Sequence, residues 1–388
     1  MANTLTNLIP DAYAALDIVS RELVGMIPAV TMDATASRAA LNQAVRVPIA
    51  PANGAGFDVT PAMSIPAAAD QTIGNTDITI TKSRGYPFSW NGEEQGGLNN
   101  GGPGYLPIRA NQLLQCMRAL VNEVESDLCA LHATMSRAYG TAATTPFGTA
   151  GDFTDASNVL KILKDNGSPL SANQLVLGTA AGANFIGKQS NSSVDFDNGV
   201  MSQGILRTIS GMDMRESGQV KTFTAGAMAS ATSTSAAFTV GQTVIPLATA
   251  GTGVVAAGDV ITFANDTNKY VVASVSFAGA NPASGDTITL AAPGLRVAKG
   301  VATRAITVVA TSARNMAFNR SAIVLAARQP ARPAEGDLAI DVTSVTDPRS
   351  GLTFEISVYP GNRMVRYEVA LAWGVKNIKP EHTAILLG

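Results

Sequence analysis

Apolar positions along this chain follow two rhythms, one helical and one alternating. Leu113, Met117, Leu120, Val124, Leu128, Leu131 and Met135 recur every three or four residues. That stripe predicts one amphipathic helix over 108–139, about 45–50 Å long, with Pro107 in its first turn. Gln115, Arg118, Asn122, Glu125 and Ser126 fall largely off the stripe. Ala14, Leu16, Ile18, Val19, Leu23 and Val24 predict a shorter helix over 11–25, between Pro10-Asp11 and Gly25. Nothing adjacent in sequence offers that helix a partner. A third helix is expected to run to Lys164, capped by Thr154 or Asp155 and stopped by Asn166-Gly167.

The alternating rhythm opens at Val45, Val47 and Ile49 and returns at Ile78 and Ile80, leading to Tyr86, Phe88 and Trp90. Between these strands lie Pro51, Pro61, Pro66, Gly54 and Gly56. The segment reads as a long hairpin-like loop with too few bulky residues for its own core. A two-stranded ribbon is marginal alone in water, so it is expected to lie on something else. Prolines at such edges block runaway strand pairing. The following stretch, residues 91–104, is glycine-rich and reads as a hinge.

From about Thr222 the composition turns to Ala, Ser, Thr and Gly. Short strands are expected at 238–247, 259–263, 269–275, 286–290 and 305–309, separated by turn residues. That spacing predicts a small all-β unit inserted into a host domain that resumes at Ser312. Short strands also precede it, at 174–177 and within 204–214. Near the end, 352–359 alternates, Pro360-Gly361-Asn362 turns, and 364–372 returns as a hairpin that would overlie the long helix.

Composition adds a constraint on the surface. Charged residues are 14% of the 388, against roughly 25% in a typical soluble domain. Little like-charge repulsion then keeps copies apart, which favours association. The net charge of −2, with no basic cluster, argues against strong nonspecific nucleic-acid binding. No apolar run is long enough to predict a transmembrane helix, and no secretory signal is evident. Cys116 and Cys129 lie on the long helix roughly 20 Å apart, too far to bridge, and read as small buried hydrophobes in a reducing compartment.

Candidate chemistry is thin. Residues 182–188 match a phosphate-loop spacing, but Gln189 stands where magnesium needs Ser or Thr. His132 and His382 are the two histidines, and His132 flanks the long apolar stripe. Asp195 and Asp197 before Gly199 form only half of a calcium loop. Glu93-Glu94 and Glu123, Glu125 and Asp127 read as solvated faces or subunit contacts. No catalytic set, cofactor site or metal site emerges, and the chain is expected not to be an enzyme.

Three stretches carry a resemblance. The last 23 residues read RYEVALAWGVKNIKPEHTAILLG, with Trp373-Gly374-Val375 before Asn377 and Lys379-Pro380-Glu381. The start (MANTLTNLIPDAYAALDIVSRELVGMIPAV) and the stretch SARNMAFNRSAIVLAARQPARP complete it. In order and over nearly the full chain, they resemble the coat proteins of P22-like tailed bacteriophages. The resemblance implies an α+β, HK97-like capsid fold. An N-terminal arm would span 1–42 and an extended E-loop 43–95. A P-domain with the spine helix would take 96–152 and 337–375. An α/β A-domain would take 153–221, 312–336 and 376–388, and an inserted β-barrel-like domain 222–311. It further implies a major capsid protein building pentamers and hexamers of an icosahedral shell around double-stranded DNA. Expected partners are further copies of itself, a scaffolding protein and a portal protein, with a decoration protein left open. Assembly would take place in the bacterial host cytoplasm. Subunit contacts are expected from the arm at Leu16 and Leu23, and from Ile78, Ile80, Lys82, Arg84, Tyr86, Phe88 and Trp90. An encapsulin-like compartment shell is the alternative.

Overall fold

The computed structural model describes residues 25–33, 38–49, 61, 74–100, 102, 104–149, 152–187, 208–346 and 351–388. The expected helix over 11–25 therefore lies outside the described residues, apart from Gly25 at its end. The chain is α+β, with two large sheets, a separate two-stranded ribbon and four α-helices among the described residues.

The four helices are α1 (Gly92–Asn99), α2 (Tyr105–Ala130), α3 (Thr154–Asp165) and α4 (Thr179–Gly187). Helix α2 is the predicted long helix, but it is shorter than its apolar stripe. Its 26 residues span about 39 Å. Leu131–Thr134 continues as a 3-10 turn, and Arg137–Tyr139 is already a strand. The stripe overran the helix because Met135, fully buried, serves the same core from outside it. Helix α1 replaces the predicted hinge. Asn91 accepts from the Glu94 N–H while the Glu94 side chain accepts from the Asn91 N–H, a reciprocal cap that overrides the glycine content. In α3 the cap also differs from expectation. Asp152, just ahead of the helix, accepts from the Thr154 N–H, while Asp155 reaches back to the Phe147 N–H.

One sheet has six strands. Thr31–Asp33, Ile323–Arg328, Met364–Asn377, Thr353–Gly361 and Asp341–Thr346 follow one another, and Lys82–Asn91 pairs with the long Met364–Asn377 strand. The predicted C-terminal hairpin is its centre, with Gly361 paired to Met364 across a two-residue loop. Helix α2 packs on this sheet. Leu120, Val124 and Leu128 share a core with Phe354, Leu371 and Trp373, all fully buried.

The second sheet carries the remaining strands outside the ribbon. Asn173–Leu177, Ser312–Asn319 and Thr383–Leu387 pair at its middle, covered by α3 and α4. The β-rich insert encloses a separate core that includes Phe238, Ile245, Leu290 and Ile306. Its strands Val260–Phe263, Lys269–Ser276, Thr287–Leu290 and Ala305–Val308 match the expected ones closely. The insert is nonetheless not a detached barrel. Lys269 and Tyr270 pair with Ala138 and Arg137, so the insert and the host share one continuous sheet.

The chain crosses between the sheets after Ser312–Asn319 and again after Met364–Asn377, each time through a short 3-10 turn. Residues 312–336 are thus split, one strand in each sheet. Ala44–Ile49 and Gly74–Thr79 form the predicted ribbon, six residue pairs long. The strand after it, Lys82–Asn91, belongs to the six-stranded sheet and not to the ribbon.

Candidate subunit-contact surface

Lys82, Arg84, Tyr86, Phe88 and Trp90 lie two apart, so they share one face of their strand. That face meets α2. Lys82 Nζ contacts Asp127 Oδ1 at 2.8 Å, and Arg84 Nε contacts Glu123 Oε2 at 3.4 Å. The Tyr86 hydroxyl donates to Glu123, which pushes the phenol above its usual range. Trp90 Nε1 donates to Gln112 Oε1 at 2.8 Å. Phe88 stacks on its cross-strand partner Tyr367 at 5.2 Å, and the Arg109 guanidinium lies 5.5 Å from the Tyr367 ring. All five side chains therefore have partners within the chain.

Ile78 and Ile80 are fully buried, packed with Val324, Ala326 and Ala372. In this conformation they anchor the ribbon base to its own subunit and present no surface to a second one. The residues that cover them lie far away in sequence, so the alternation of the ribbon alone does not reveal their burial. Leu16 and Leu23 lie outside the described residues.

The acidic residues of α2 also differ from the sequence reading. Glu125 is buried, not solvated. Its carboxylate accepts from the backbone N–H groups of Gly25 and Met26 at 2.7 and 2.6 Å, and of Ile27 at 3.0 Å. Burial raises its pKa, against the lowering effect of those donors. Glu125 thus holds residues 25–27 against helix α2. Glu123 and Asp127, one turn apart, hold the Lys82–Asn91 strand.

The remaining candidates form no site among the described residues. Residues 182–187 lie inside helix α4, and Phe185 is fully buried, so no phosphate-cradling loop forms there. Lys188, Gln189, Asp195 and Asp197 lie outside the described residues. His132 is buried edge-on to Phe223, and burial lowers its pKa to about 4. Both cysteines are free, Cys129 buried and Cys116 only half-buried. Among the described residues no group of three or more His, Cys, Asp or Glu side chains could hold a metal ion, and no helix is long and apolar enough to cross a membrane.

What remains exposed and apolar is more informative. Residues 105–119 of α2 contain no fully buried side chain, and Leu106 and Leu114 are 54% and 52% exposed. Leading into the edge strand Asp341–Thr346 of the six-stranded sheet, Leu338, Ile340 and Val342 are also exposed, with Leu338 at 83%. The ribbon rests on the subunit through its base. Beyond Ile78 and Ile80, Val45 and Val47 are only half-buried.

No protein-family model matches the sequence, and no curated protein matches it. Among solved structures, the chain is similar to the capsid of the cyanophage P-SCSP1u, at 10% identity over 100% of this chain and 92% of that one, TM-score 0.46. It is similar to the capsid of a native GTA particle at 8% identity over 100% and 95%, TM-score 0.45. A Mycobacterium phage Che8 structure matches at 13% identity over 89% and 84%, TM-score 0.41. At these values the likeness is a loose similarity of chain trace and no more.

Proposed function

We propose that this chain is a shell-forming structural protein, the major capsid protein of a tailed bacteriophage with an HK97-like fold. The observation that carries the reading is the pairing of two incomplete elements in one subunit. The ribbon has little of its own to pack on, and in the first half of α2 Leu106 and Leu114 are left exposed by the described residues. Each supplies what the other lacks, but on different copies. A ribbon lying over a neighbour's α2 buries Leu106 and Leu114 and gives the ribbon its missing support. The order of elements supports the same reading: ribbon, spine helix, helix-covered sheet, β insert, then a return hairpin over the spine. So does the sequence resemblance to P22-like coat proteins at both ends and in the middle.

On this reading the copies form pentamers and hexamers of a closed icosahedral shell around double-stranded DNA, located in the virion and assembled in the host cytoplasm. The near-neutral charge means that the shell contains the genome without neutralising it. A scaffolding protein and a portal are the partners this role requires. Arg84 remains the strand position of most interest for a neighbour, since its side chain is largely exposed.

The test shortens the ribbon. Ile49 pairs with Gly74, so residues 50–73 can be replaced by an Asn-Gly turn at that rung. The shortened chain should fold with an unchanged unfolding midpoint and stay monomeric, while the full chain assembles. Normal shells from the shortened chain would contradict the proposal.

A further inference from the structure

The two strands that tie the insert to the host meet around one aromatic ring. Phe223, on the way into the insert, pairs with Ser312, on the way out. The Arg314 guanidinium lies 5.2 Å from the Phe223 ring centroid, and the His132 ring meets it edge-on at 5.3 Å. On the insert side the backbone closes in tightly. A Cβ on Gly258 would come within 3.1 Å of the Phe223 ring, and Gly258 has a positive φ of 93°.

This neck is polar and unsatisfied. Arg314 is 0% exposed, yet Nε, Nη1 and Nη2 have no hydrogen-bond partner among the described residues. Ser312 and Arg314 are two apart on one strand and share a face. Ser312 Oγ and His132 Nδ1 are likewise buried without partners. Five such atoms around one ring are far from the usual pattern, in which buried polar atoms are paired with protein or with ordered water. An uncompensated buried guanidinium is costlier still. Asp259, next to Gly258, is fully buried, and its charge acts on the Arg314 guanidinium. It accepts from the Gly226 and Ala256 N–H groups at 2.9 and 2.7 Å, which leaves lone pairs free on both oxygens.

We propose that the neck holds ordered water bonded to Arg314, Ser312 and His132. This water joins the Arg314 guanidinium to the Asp259 carboxylate as a water-bridged ion pair that fastens the insert to the host sheet. A buried water typically takes about three hydrogen bonds, and the five unpaired atoms together with Asp259 supply enough partners for more than one. The latch would help fix the orientation of the insert, adding to the pairing of Lys269 and Tyr270 with residues 137–138 and to the burial of Val260, Val271 and Ala291 in the main core.

Two measurements on the full chain test this. A structure at a resolution that shows ordered water should have peaks within hydrogen-bond reach of the Arg314 nitrogens and Ser312 Oγ. Empty density there would overturn the proposal, and so would a halide identified by its anomalous signal. In thermal unfolding, Arg314→Met and Asp259→Asn should each lower the midpoint, and the double variant should lose clearly less than the two losses added. Strict additivity, or a midpoint raised by Arg314→Met, would contradict the ion pair. Should either variant fail to fold, Ser312→Ala removes one water partner and no charge. It lowers the midpoint if the water is bound and leaves it unmoved if it is not.

Discussion

Trp373 Nε1 donates to Asp127 Oδ2 at 2.9 Å, joining the centre of the six-stranded sheet to the spine helix across 246 residues of sequence. Lys82 pairs with Trp373 across the sheet and takes the other oxygen of the same carboxylate at 2.8 Å. One carboxylate thus orients both a fully buried indole and the first residue of the strand leading away from the ribbon. Asp127→Ala leaves the buried indole N–H without its acceptor and the ammonium with only Glu123, at 4.0 Å. The expected cost is about 2–3 kcal/mol, read as a lowered urea midpoint with unchanged slope. Trp373→Ala should cost more, about 4 kcal/mol, because it also empties a core site.

Glu125 is the other long-range clasp on the same helix. Glu125→Ala strands three backbone N–H groups at residues 25–27. A loss of at least about 3 kcal/mol is expected. Hydrogen exchange gives the sharper readout: the amides of Gly25, Met26 and Ile27 should lose protection ahead of the sheet. If those amides stay as protected as before, Glu125 is not what holds the segment.

Gly374 lets the ribbon base approach the sheet closely. A Cβ there would sit 2.1 Å from the Thr79 carbonyl oxygen, a backbone atom at the ribbon base that has little room to move. Gly374→Ala should cost about 2 kcal/mol or more and displace residues 78–81. The matching control is Gly96→Ala in α1, where a Cβ meets nothing. That variant should be neutral or mildly stabilising.

The buried His132 predicts an acid limb in stability. Its pKa falls from 6.5 to about 4, chiefly through burial, with Arg314 and Lys221 adding to the shift. Below pH 6.5 the unfolded chain takes up a proton that the folded chain refuses until about pH 4. Stability is therefore fully present above 6.5 and is lost as the pH falls through that window, by about 3 kcal/mol in all. His132→Leu should flatten this limb. An unchanged pH profile in that variant would place the acid sensitivity elsewhere.

Much of this architecture was legible in the sequence, because periodicity is local. The stripe from Leu113 to Leu128 located the spine helix, and the alternation at 352–372 located the central hairpin. The insert was legible for the same reason, its short strands punctuated by turns. What is not legible in the sequence depends on partners far away. Glu123, Glu125 and Asp127 look like a solvated acidic run until the strand at 82–91 and the backbone at 25–27 are brought to them. Ile78 and Ile80 look like ribbon residues free for a neighbour until Val324 and Ala372 cover them. Helix α1 was hidden by its glycines, although Asn91 and Glu94 carried the capping signal three residues apart. The helix end at Ala130 was hidden because Leu131 and Met135 keep the apolar spacing in a 3-10 turn and the residue after it.

The contact proposed between copies has its own signature. Leu106→Glu with Leu114→Glu places two charges on an exposed helix face. The fold should be nearly unaffected, within about 0.5 kcal/mol, while a ribbon from a neighbouring copy could no longer bury that face. Sedimentation should show a folded monomer in place of large assemblies. Full assembly by this variant would move the contact off α2.

The most direct test of the central claim is to image the full chain, expressed alone and with a candidate scaffolding protein, by negative-stain electron microscopy. Closed shells of uniform diameter are the predicted result. A stable, folded monomer under both conditions, with neither shells nor sheets, would contradict it.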